Sequence, residues 1–393
     1  MIKTILPFFF IIALMSCKSS TELTSYFGQK YPGAIPEIFA PDVISVKNRF
    51  EHGISFTPNT NELAFGILDK TGVRGEIYYS KKDNNTWSDP QTFKPLENRS
   101  VFLPYFTPDG QALLYAQSIP DTNNLYITNI GSLKKVDNHW GLPEKLETPI
   151  SSASREASAS ITMDGTLYFS SNRNCQGKEN CFTADLFFSK ILDKKYQSVS
   201  EIADLNSAND EESVFISPKE TYLLFCRYTN DETFVDLYIS YRNHNGNWTS
   251  PQILDPTINS KDWDRRPFVS ADNKYLFFTR LQIASNSLAE SDIYWSNTSK
   301  VFHPFVYHPL DAITIRKGEN FELQLPPDYF KDIDDTQLVL NTTKSKLNWL
   351  NFDNETMTLS GRPTLDGEFE LIFTATDKAL NSTEDRLKIT VTQ

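Results

Sequence analysis

Apolar strand patterns recur along most of the chain at a spacing of 50 to 55 residues, which is typical of a repeat architecture. Each copy begins with an apolar strand that runs into a tight turn, and a second strand follows the turn at once. A third strand comes after a loop of variable length, as in DLYIS at Asp236. The first strands with their turns are ISFTPNT at Ile54, PYFTPDG at Pro104, ASITMDG at Ala159, VFISPKE at Val214 and PFVSADN at Pro267.

A fourth strand follows in four of the copies. It reads WSDPQTF at Trp87, WGLPEKL at Trp140, YQSVSEI at Tyr196 and WTSPQIL at Trp248. Each copy is therefore predicted to form a four-stranded antiparallel meander, the blade of a β-propeller. The fifth copy has no fourth strand, but a further strand pattern, PEIFAPDVIS at Pro36, precedes the first copy. We expect this N-terminal strand to complete the last blade and close the ring, which removes the open sheet edges.

The repeat also resembles a known family. The (S/T)-P-D-G turn, the following LYF and the (D)IYxS strand resemble the WD40-like repeats of TolB-type propellers over residues 36–305. The resemblance implies a propeller; TolB propellers have six blades, whereas the copies counted here give five, so six is the alternative.

Composition agrees with an all-β globular protein. Of 393 residues, 39% are hydrophobic and 13% are aromatic, and aromatic side chains favour strands. The net charge of -12 argues against binding nucleic acid or anionic lipid through a basic face.

The N-terminus predicts export. A basic start at Met1–Lys3 precedes an apolar run at Ile5–Leu14 that is too short to span a membrane. The segment LMSC, ending at Cys17, resembles the bacterial lipobox, which implies cleavage after residue 16 and lipid on Cys17. We expect a signal peptide (1–16), a flexible tether (17–35) and an outer-membrane anchor, with the membrane face left open. An ordinary signal peptide is the alternative.

A different pattern begins after the propeller. Residues 306–393 contain about seven short strand patterns, which predicts an immunoglobulin-like sandwich. The segments at Trp349–Asp353, Leu359–Pro363 and Thr374–Asp377 resemble the dystroglycan-type cadherin-like domain. Family members carry an acidic loop, which here keeps Asp332, Asp334 and Asp335. With Asp377 these carboxylates either bind calcium or form a solvated acidic loop.

Charged residues precede the first strand or end the second strand of the copies, so we expect them at one mouth of the central channel. They either bind a polar ligand or a partner's loop, or pair with one another and seal the channel. These candidates are Glu51, Arg155, Glu156, Arg173, Glu211, Glu212, Arg227, Asp264, Arg265 and Arg280.

Two cysteines, Cys175 and Cys181, lie in one loop of the third blade. In an oxidising envelope they are expected to form a disulfide, with free thiols as the alternative. Cys226 is predicted to be a buried thiol.

No catalytic motif marks the chain, which lacks G-x-S-x-G, HExxH, a P-loop and a Rossmann glycine pattern. The sequence therefore predicts a non-catalytic envelope protein that binds proteins or glycans and needs no cofactor, with structural calcium as the alternative. The alternative is a carbohydrate-binding protein or glycoside hydrolase acting at the channel mouth.

Overall fold

The computed structural model describes residues 26–72, 74–119, 127–176, 178, 181, 183–228, 234–284, 287–344 and 347–393. The predicted signal peptide, Cys17 and residues 18–25 of the predicted tether lie outside this part. Within it, helix is confined to three single 3-10 turns, Lys94–Leu96, Arg173–Cys175 and Thr298–Lys300. The all-β prediction is confirmed. No helix in the described ranges has the length and hydropathy to cross a membrane.

The described residues after Pro36 first form five four-stranded antiparallel units. Short hairpin extensions β5 (Thr86–Trp87), β10 (His139–Trp140), β15 (Ile191–Leu192) and β16 (Lys195–Tyr196) decorate three of them. The principal strands are β2 (Phe50–Phe56), β3 (Glu62–Leu68), β4 (Gly75–Asp83) and β6 (Gln91–Thr92); β7 (Val101–Phe106), β8 (Ala112–Ile119), β9 (Ile127–Val136) and β11 (Glu144–Lys145); β12 (Glu156–Ile161), β13 (Leu167–Ser171), β14 (Asp185–Ser189) and β17 (Ser200–Glu201); β18 (Glu211–Ile216), β19 (Tyr222–Tyr228), β20 (Val235–Tyr241) and β21 (Gln252–Ile253); and β22 (Trp263–Val269), β23 (Tyr275–Ala284), β24 (Ser287–Asn297) and β1 (Glu37–Ile38).

The N-terminal strand completes the last unit. β1 pairs antiparallel with β24, with Glu37 opposite Trp295, and the Phe39 N–H donates to the Ile293 carbonyl at 2.8 Å. Neighbouring units are also linked to each other, because the Gly53 N–H donates to Thr279 Oγ1 and the Phe106 N–H donates to Ser55 Oγ. The units therefore close on themselves, and the fold is propeller-like.

The first strand of every unit carries a β-bulge at the same place. One residue in each bulge has a positive φ between 53° and 74°, and four of the five are not glycine. These five residues surround the axis of the ring: Gly53, Leu103, Ser158, Ser213 and Arg266. Residues in this strained region are concentrated at functional sites in proteins, which directs attention to the axis.

Aromatic side chains fill the space between the units. Phe39, Phe56, Phe277 and Trp295 belong to one cluster, in which Phe56 and Phe277 lie 5.0 Å apart between ring centroids. This burial between sheets explains the aromatic content of the sequence, because flat rings suit the contact of two strand surfaces.

The C-terminal residues form an immunoglobulin-like sandwich of two sheets, which confirms that prediction. One sheet has the order β26 (Ile313–Arg316), β33 (Ser382–Thr392), β32 (Gly367–Thr376) and β29 (Val339–Lys344). The other has the order β27 (Phe321–Gln324), β31 (Thr358–Gly361) and β30 (Leu350–Asp353). Their core includes the buried Tyr329, Leu371 and Phe373.

The sandwich is tied to the ring by specific contacts. β25 (Phe305–Val306), which follows the last unit, pairs with β28 (Phe330–Lys331) of the sandwich. Phe305 stacks on Tyr241 of the fourth unit at 4.4 Å between ring centroids. Asn381 donates from Nδ2 to the carbonyls of Ser299 and Phe302, at 2.9 and 3.2 Å. The two domains therefore share a polar and aromatic junction.

Candidate functional site

Three of the predicted mouth carboxylates are used inside their own units. Glu156 contacts Arg173, Glu211 contacts Arg227 at 2.7 Å, and Asp264 contacts Arg280 at 2.8 Å. Each arginine also donates to a backbone carbonyl six residues before its acid, namely that of Ile150, Leu205 or Ile258. We call these three acid–arginine pairs the intra-unit clamps. All three acids are fully buried, and burial raises the pKa of each carboxyl.

Glu51 occupies the related place in the first unit with a different partner. Its Oε1 accepts from Arg49 Nε at 2.6 Å, and its Oε2 has no partner among the described residues. Burial raises the pKa of Glu51 to about 7. Glu51 and the six residues of the intra-unit clamps therefore do not line the channel mouth, which corrects the prediction for seven of its ten residues.

The correction has a simple physical reason. Successive residues of a strand point to opposite sides, so in Glu211-Glu212 the first acid faces its clamp arginine and the second faces the axis. Asp264 and Arg265 divide in the same way. Sequence position alone placed both members of each pair at the mouth.

The remaining three predicted residues do meet at the axis. Glu212 Oε1 lies 2.6 Å from Arg155 of the third unit, and Glu212 Oε2 lies 2.7 Å from Arg265 of the fifth. Arg266, the next residue along the strand, approaches the same oxygen at 3.2 Å. Three guanidinium groups from two units thus surround one carboxylate from another. We call Arg155, Glu212, Arg265 and Arg266 the axial cluster.

Arg266 crosses the axis of the ring. Its Nη1 donates to Ser158 Oγ at 2.6 Å and to Ser213 Oγ at 2.8 Å, and its Nε donates to His52 Nε2 at 3.1 Å. The first unit has Gly53 at the corresponding bulge position, beside the stem of Arg266, where an added Cβ would lie 3.8 Å from that of Arg266. Arg266 therefore connects four units and closes the bottom of the channel mouth at the axis.

Beside Arg266 lies a cavity of about 210 Å³. Its charged side is formed by the axial cluster, with Tyr228 and Trp263 beside Arg265. Leu68, Phe102, Leu281 and Leu288 form an apolar side. Side chains of all five units therefore line one small cavity, which we call the axial cavity.

The charges of the axial cavity do not balance. Burial alone raises the pKa of Glu212, but Arg155, Arg266 and Arg265 outweigh this effect and hold the pKa well below its usual range. Burial and the two neighbouring guanidinium groups of Arg266 and Arg265 lower the pKa of His52, so its imidazole is neutral at pH 7. Asp210 lies 4.0 Å from Arg155, and burial together with the charge of Glu212 raises its pKa to about 7.

Besides Arg155 Nη2, which contacts Glu212 Oε1 as an ion pair at 2.6 Å, two buried polar atoms at this cavity have no partner in the described part of the chain. They are Arg265 Nε and His52 Nδ1. Because His52 Nε2 accepts from Arg266, the ring hydrogen of the neutral imidazole is on Nδ1, and both atoms are donors. Unpartnered buried donors are costly, and an oxygen-bearing anion would satisfy them.

Arg266 and His52 belong to the same charged positions before the first strands, whereas sequence reasoning missed Tyr228 and Trp263 as parts of the site. One further signal was available for Arg266. In an alignment of the five copies, Gly53, Ser158 and Ser213 match Arg266, so a single arginine stands where the other units have small residues or Leu103.

The cysteines of the third unit form a disulfide, with the Cα atoms of Cys175 and Cys181 5.1 Å apart. Cys226 is a free, fully buried thiol that donates to Ser213 Oγ at 3.1 Å, and burial raises its pKa to about 11.

Most oxygens of the aspartates predicted to bind calcium already accept hydrogen bonds within the sandwich. Asp335 accepts from the N–H groups of Gln337 and Lys378, and Asp377 accepts from Asn381 through both oxygens. Asp332 accepts from the Ile333 N–H through Oδ1 at 2.6 Å, its buried Oδ2 has no partner among the described residues, and Asp334 is exposed. In the described ranges, no group of three or more His, Cys, Asp or Glu side chains converges as a metal site would require.

Comparison with known proteins gives one family match. A family model described as "Putative Ig domain" (He_PIG) matches residues 303–392, which agrees with the sandwich. No curated protein matches the sequence.

Solved structures resemble the chain only distantly. A protein titled "Glycoside hydrolase" has a TM-score of 0.45 and 10% identity, and the match covers 68% of this chain and 91% of that one. An α-L-arabinofuranosidase of Podospora anserina has a TM-score of 0.41 and 8% identity, with 68% and 98% covered. A prolyl endopeptidase has a TM-score of 0.34 and 8% identity, with 87% and 39% covered. We base no argument on these likenesses because all three TM-scores are below 0.5.

Proposed function

We propose that this chain is a lipid-anchored envelope protein that binds an organic anion in the axial cavity without transforming it. The observation that carries the proposal is the imbalance of the axial cluster, in which three guanidinium groups surround the carboxylate of Glu212 while the next carboxylate, Asp210, lies 4.0 Å from Arg155 with its pKa raised to about 7. Uncompensated buried charge is unfavourable, and a bound anion supplies the compensation. His52 Nδ1 and Arg265 Nε can donate further hydrogen bonds to such an anion.

Binding fits the site better than cleavage does. A general acid must carry a proton at the working pH, whereas the three arginines keep Glu212 ionised. Glu156, Glu211 and Asp264, the acids of the clamps, are fully buried and contact arginines inside their units.

The ring in this proposal is a five-bladed propeller, and its partners are envelope proteins or glycans. Lipid on Cys17 would hold the protein at the outer membrane. The anchor has its own test, since Cys17→Ala should move the protein from the membrane fraction to the aqueous phase on detergent partitioning. Unchanged partitioning of Cys17→Ala would overturn the anchor alone.

Anion binding is tested by calorimetric titration of the full chain in mild detergent. Acetate, glucuronate, inorganic phosphate and N-acetyl-L-leucine serve as probes, with N-acetyl-L-leucinamide as the uncharged comparison. We expect at least one anion to bind, and Arg265→Met to weaken that binding at least about tenfold, because it removes charge-assisted hydrogen bonds. The exposed Lys274→Met is the matched control. If no anion binds, or if Arg265→Met binds as the wild type does, the proposal is wrong.

Cleavage of a glycosidic bond is a second candidate, and one observation favours it. The pKa of Asp210 is raised to about 7 while that of Glu212 is held low, and such a division is used by pairs of acid and base carboxylates. Release of reducing sugar from a panel of glycans, abolished by Asp210→Asn, would support this candidate. No release from the panel would remove it.

A further inference from the structure

The axial cavity has two chemically different sides. Arg155, Arg265 and Glu212 form the charged side, on the third, fifth and fourth units. Leu68, Phe102, Leu281 and Leu288 form the apolar side, on the first, second and fifth units. Leu68, Phe102 and Leu281 are each at most 7% exposed, so this side is anchored in the surrounding core. A ligand that fills the cavity must therefore match a charge at one end and an apolar surface at the other.

The apolar side restricts what the anion can carry. A sugar acid brings several hydroxyl groups into the cavity, and each needs a hydrogen-bond partner when it leaves water. Beyond the arginines, five polar side chains line the cavity: Glu212, His52, Thr128, Tyr228 and Trp263. Thr128 Oγ1 already donates to the Glu156 carbonyl, and Tyr228 donates to Glu212. The leucine side offers a hydroxyl no partner at all, but it is well suited to an alkyl or aryl group.

The charged side already shows that it accepts a carboxylate. Its guanidinium groups contact the two oxygens of Glu212 from different directions, at 2.6 and 2.7 Å. Arg265 Nε remains free for a second carboxylate oxygen, and His52 Nδ1 can donate to the same ligand. Glu212 and Asp210, which lies 4.0 Å from Arg155, together oppose three positive charges, so a ligand with a single negative charge is enough to balance the site. A compact monocarboxylate therefore suffices, and it is of a size that a cavity of about 210 Å³ can hold.

We infer that the axial cavity recognises a carboxylate attached to a compact apolar group, as in the free C-terminal residue of a peptide with an aliphatic or aromatic side chain, or in a small organic acid of the same chemistry. This inference rests on the proposed function and narrows it to one ligand class. The carboxylate is bound by Arg265 and Arg155, the donor of His52 binds a ligand oxygen, and the apolar group lies against Leu68, Leu281 and Leu288.

The inference is tested with the same full chain and a graded set of probes. N-acetyl-L-leucine carries both features, acetate carries only the charge, N-acetyl-L-leucinamide carries only the apolar group, and glucuronate carries charge with hydroxyls. We expect N-acetyl-L-leucine to bind at least about tenfold more tightly than each of the others. Acetyl-Ala-Ala-Leu with a free carboxylate separates the two sources: tighter binding than N-acetyl-L-leucine identifies a chain terminus, equal binding identifies a small acid, and both outcomes support the ligand class.

A wall variant provides the second measurement. Leu288→Ser makes the apolar side polar at a partly exposed position, so the fold is expected to persist. The variant should bind N-acetyl-L-leucine several-fold more weakly than the wild type and bind acetate with unchanged affinity. If glucuronate, phosphate or acetate binds as tightly as N-acetyl-L-leucine, the ligand class is wrong while anion binding stands. If the leucinamide binds as tightly as the acid, or no probe binds, anion binding itself fails.

Discussion

Arg266 Nε donates a hydrogen bond to His52 Nε2 across 3.1 Å, although 214 residues separate them in sequence. The contact joins the fifth unit to the first at the axis. Through Ser158 and Ser213 the same guanidinium reaches the third and fourth units. One side chain thus links units that are distant in sequence.

Arg266→Ala should therefore destabilise the ring by about 3 kcal/mol, because it removes buried hydrogen bonds and one partner of a buried carboxylate. Urea unfolding followed by tryptophan fluorescence measures the effect. The exposed Lys274→Ala should stay within about 0.5 kcal/mol of the wild type. An Arg266→Ala protein as stable as this control would show that the axis is held by other contacts.

The intra-unit clamps predict non-additive mutations. Arg227→Ala leaves the fully buried Glu211 without its charge partner, which should cost about 3 kcal/mol. Adding Glu211→Gln should restore part of that loss, because a neutral amide is easier to bury than an unpaired carboxylate. The double-mutant cycle is measured by chemical unfolding. The exposed pair Arg386 and Glu370 is the comparison, with a coupling of about 1 kcal/mol or less. A clamp coupling no larger than that would contradict the role assigned to burial.

Much of the strand order could be predicted from the sequence. Tight turns and alternating strands are local features, so the spacing of ISFTPNT and its four counterparts gave the antiparallel units, and the strand at Glu37–Ile38 was expected beside the last one. The sandwich was equally accessible, because its short strands and turns are also local.

The candidate site was harder to predict from the sequence because it depends on the β-bulges. The registers of β18 and β22 shift after Glu212 and Arg265, so alternation cannot be extended from one end of these strands to the other. The backbone conformation of the bulge then decides which of two adjacent charged side chains faces the axis. The positive φ of Arg266 is part of that conformation. The axial cavity is also built by residues from all five units, and no local pattern records that meeting.

Glu51 gives the ring a dependence on pH. Its pKa is raised by burial from the usual 4.5 to about 7, and its facing groups are Arg49 Nε and the Val46 N–H. Between about pH 4.5 and pH 7, the folded state therefore keeps a proton on Glu51 that the unfolded state has already released. The free energy of unfolding falls as the pH rises through this range. The difference between the two pKa values corresponds to a loss of roughly 3 kcal/mol in the free energy of unfolding.

The test compares unfolding free energies of Glu51→Gln and the wild type from pH 4.5 to 8. The variant keeps an acceptor for Arg49 and has no carboxyl to ionise. Its free energy of unfolding should therefore rise relative to that of the wild type as the pH increases, and the difference should become constant above about pH 7. Other buried acids, such as Asp210, contribute equally to both proteins and cancel. Parallel pH curves would show that Glu51 is not the responsible group.

Calcium should not stabilise the sandwich. Asp377 uses both oxygens on Asn381, and Asp335 accepts from two backbone N–H groups, so a calcium ion would have to displace existing hydrogen bonds. Thermal melting with millimolar calcium and with chelator is expected to give the same transition. A calcium-dependent rise that disappears in Asp377→Asn would instead establish a site there.

Asn381 should be the residue that couples the two domains. Its side-chain amide donates to the carbonyls of Ser299 and Phe302 and to Asp377 Oδ2, and it is only 8% exposed. Asn381→Ala leaves these buried acceptors without a donor, which should cost about 2 kcal/mol and separate the melting of sandwich and ring. Calorimetry measures both effects, and limited proteolysis near residues 303–310 should accelerate.

Asn351→Ala, at an exposed position of the same sandwich, should change neither the melting nor the proteolysis. Since the remaining link depends on β25 pairing with β28 and on Phe305 stacking against Tyr241, a single unshifted transition in Asn381→Ala would assign the coupling to those contacts instead.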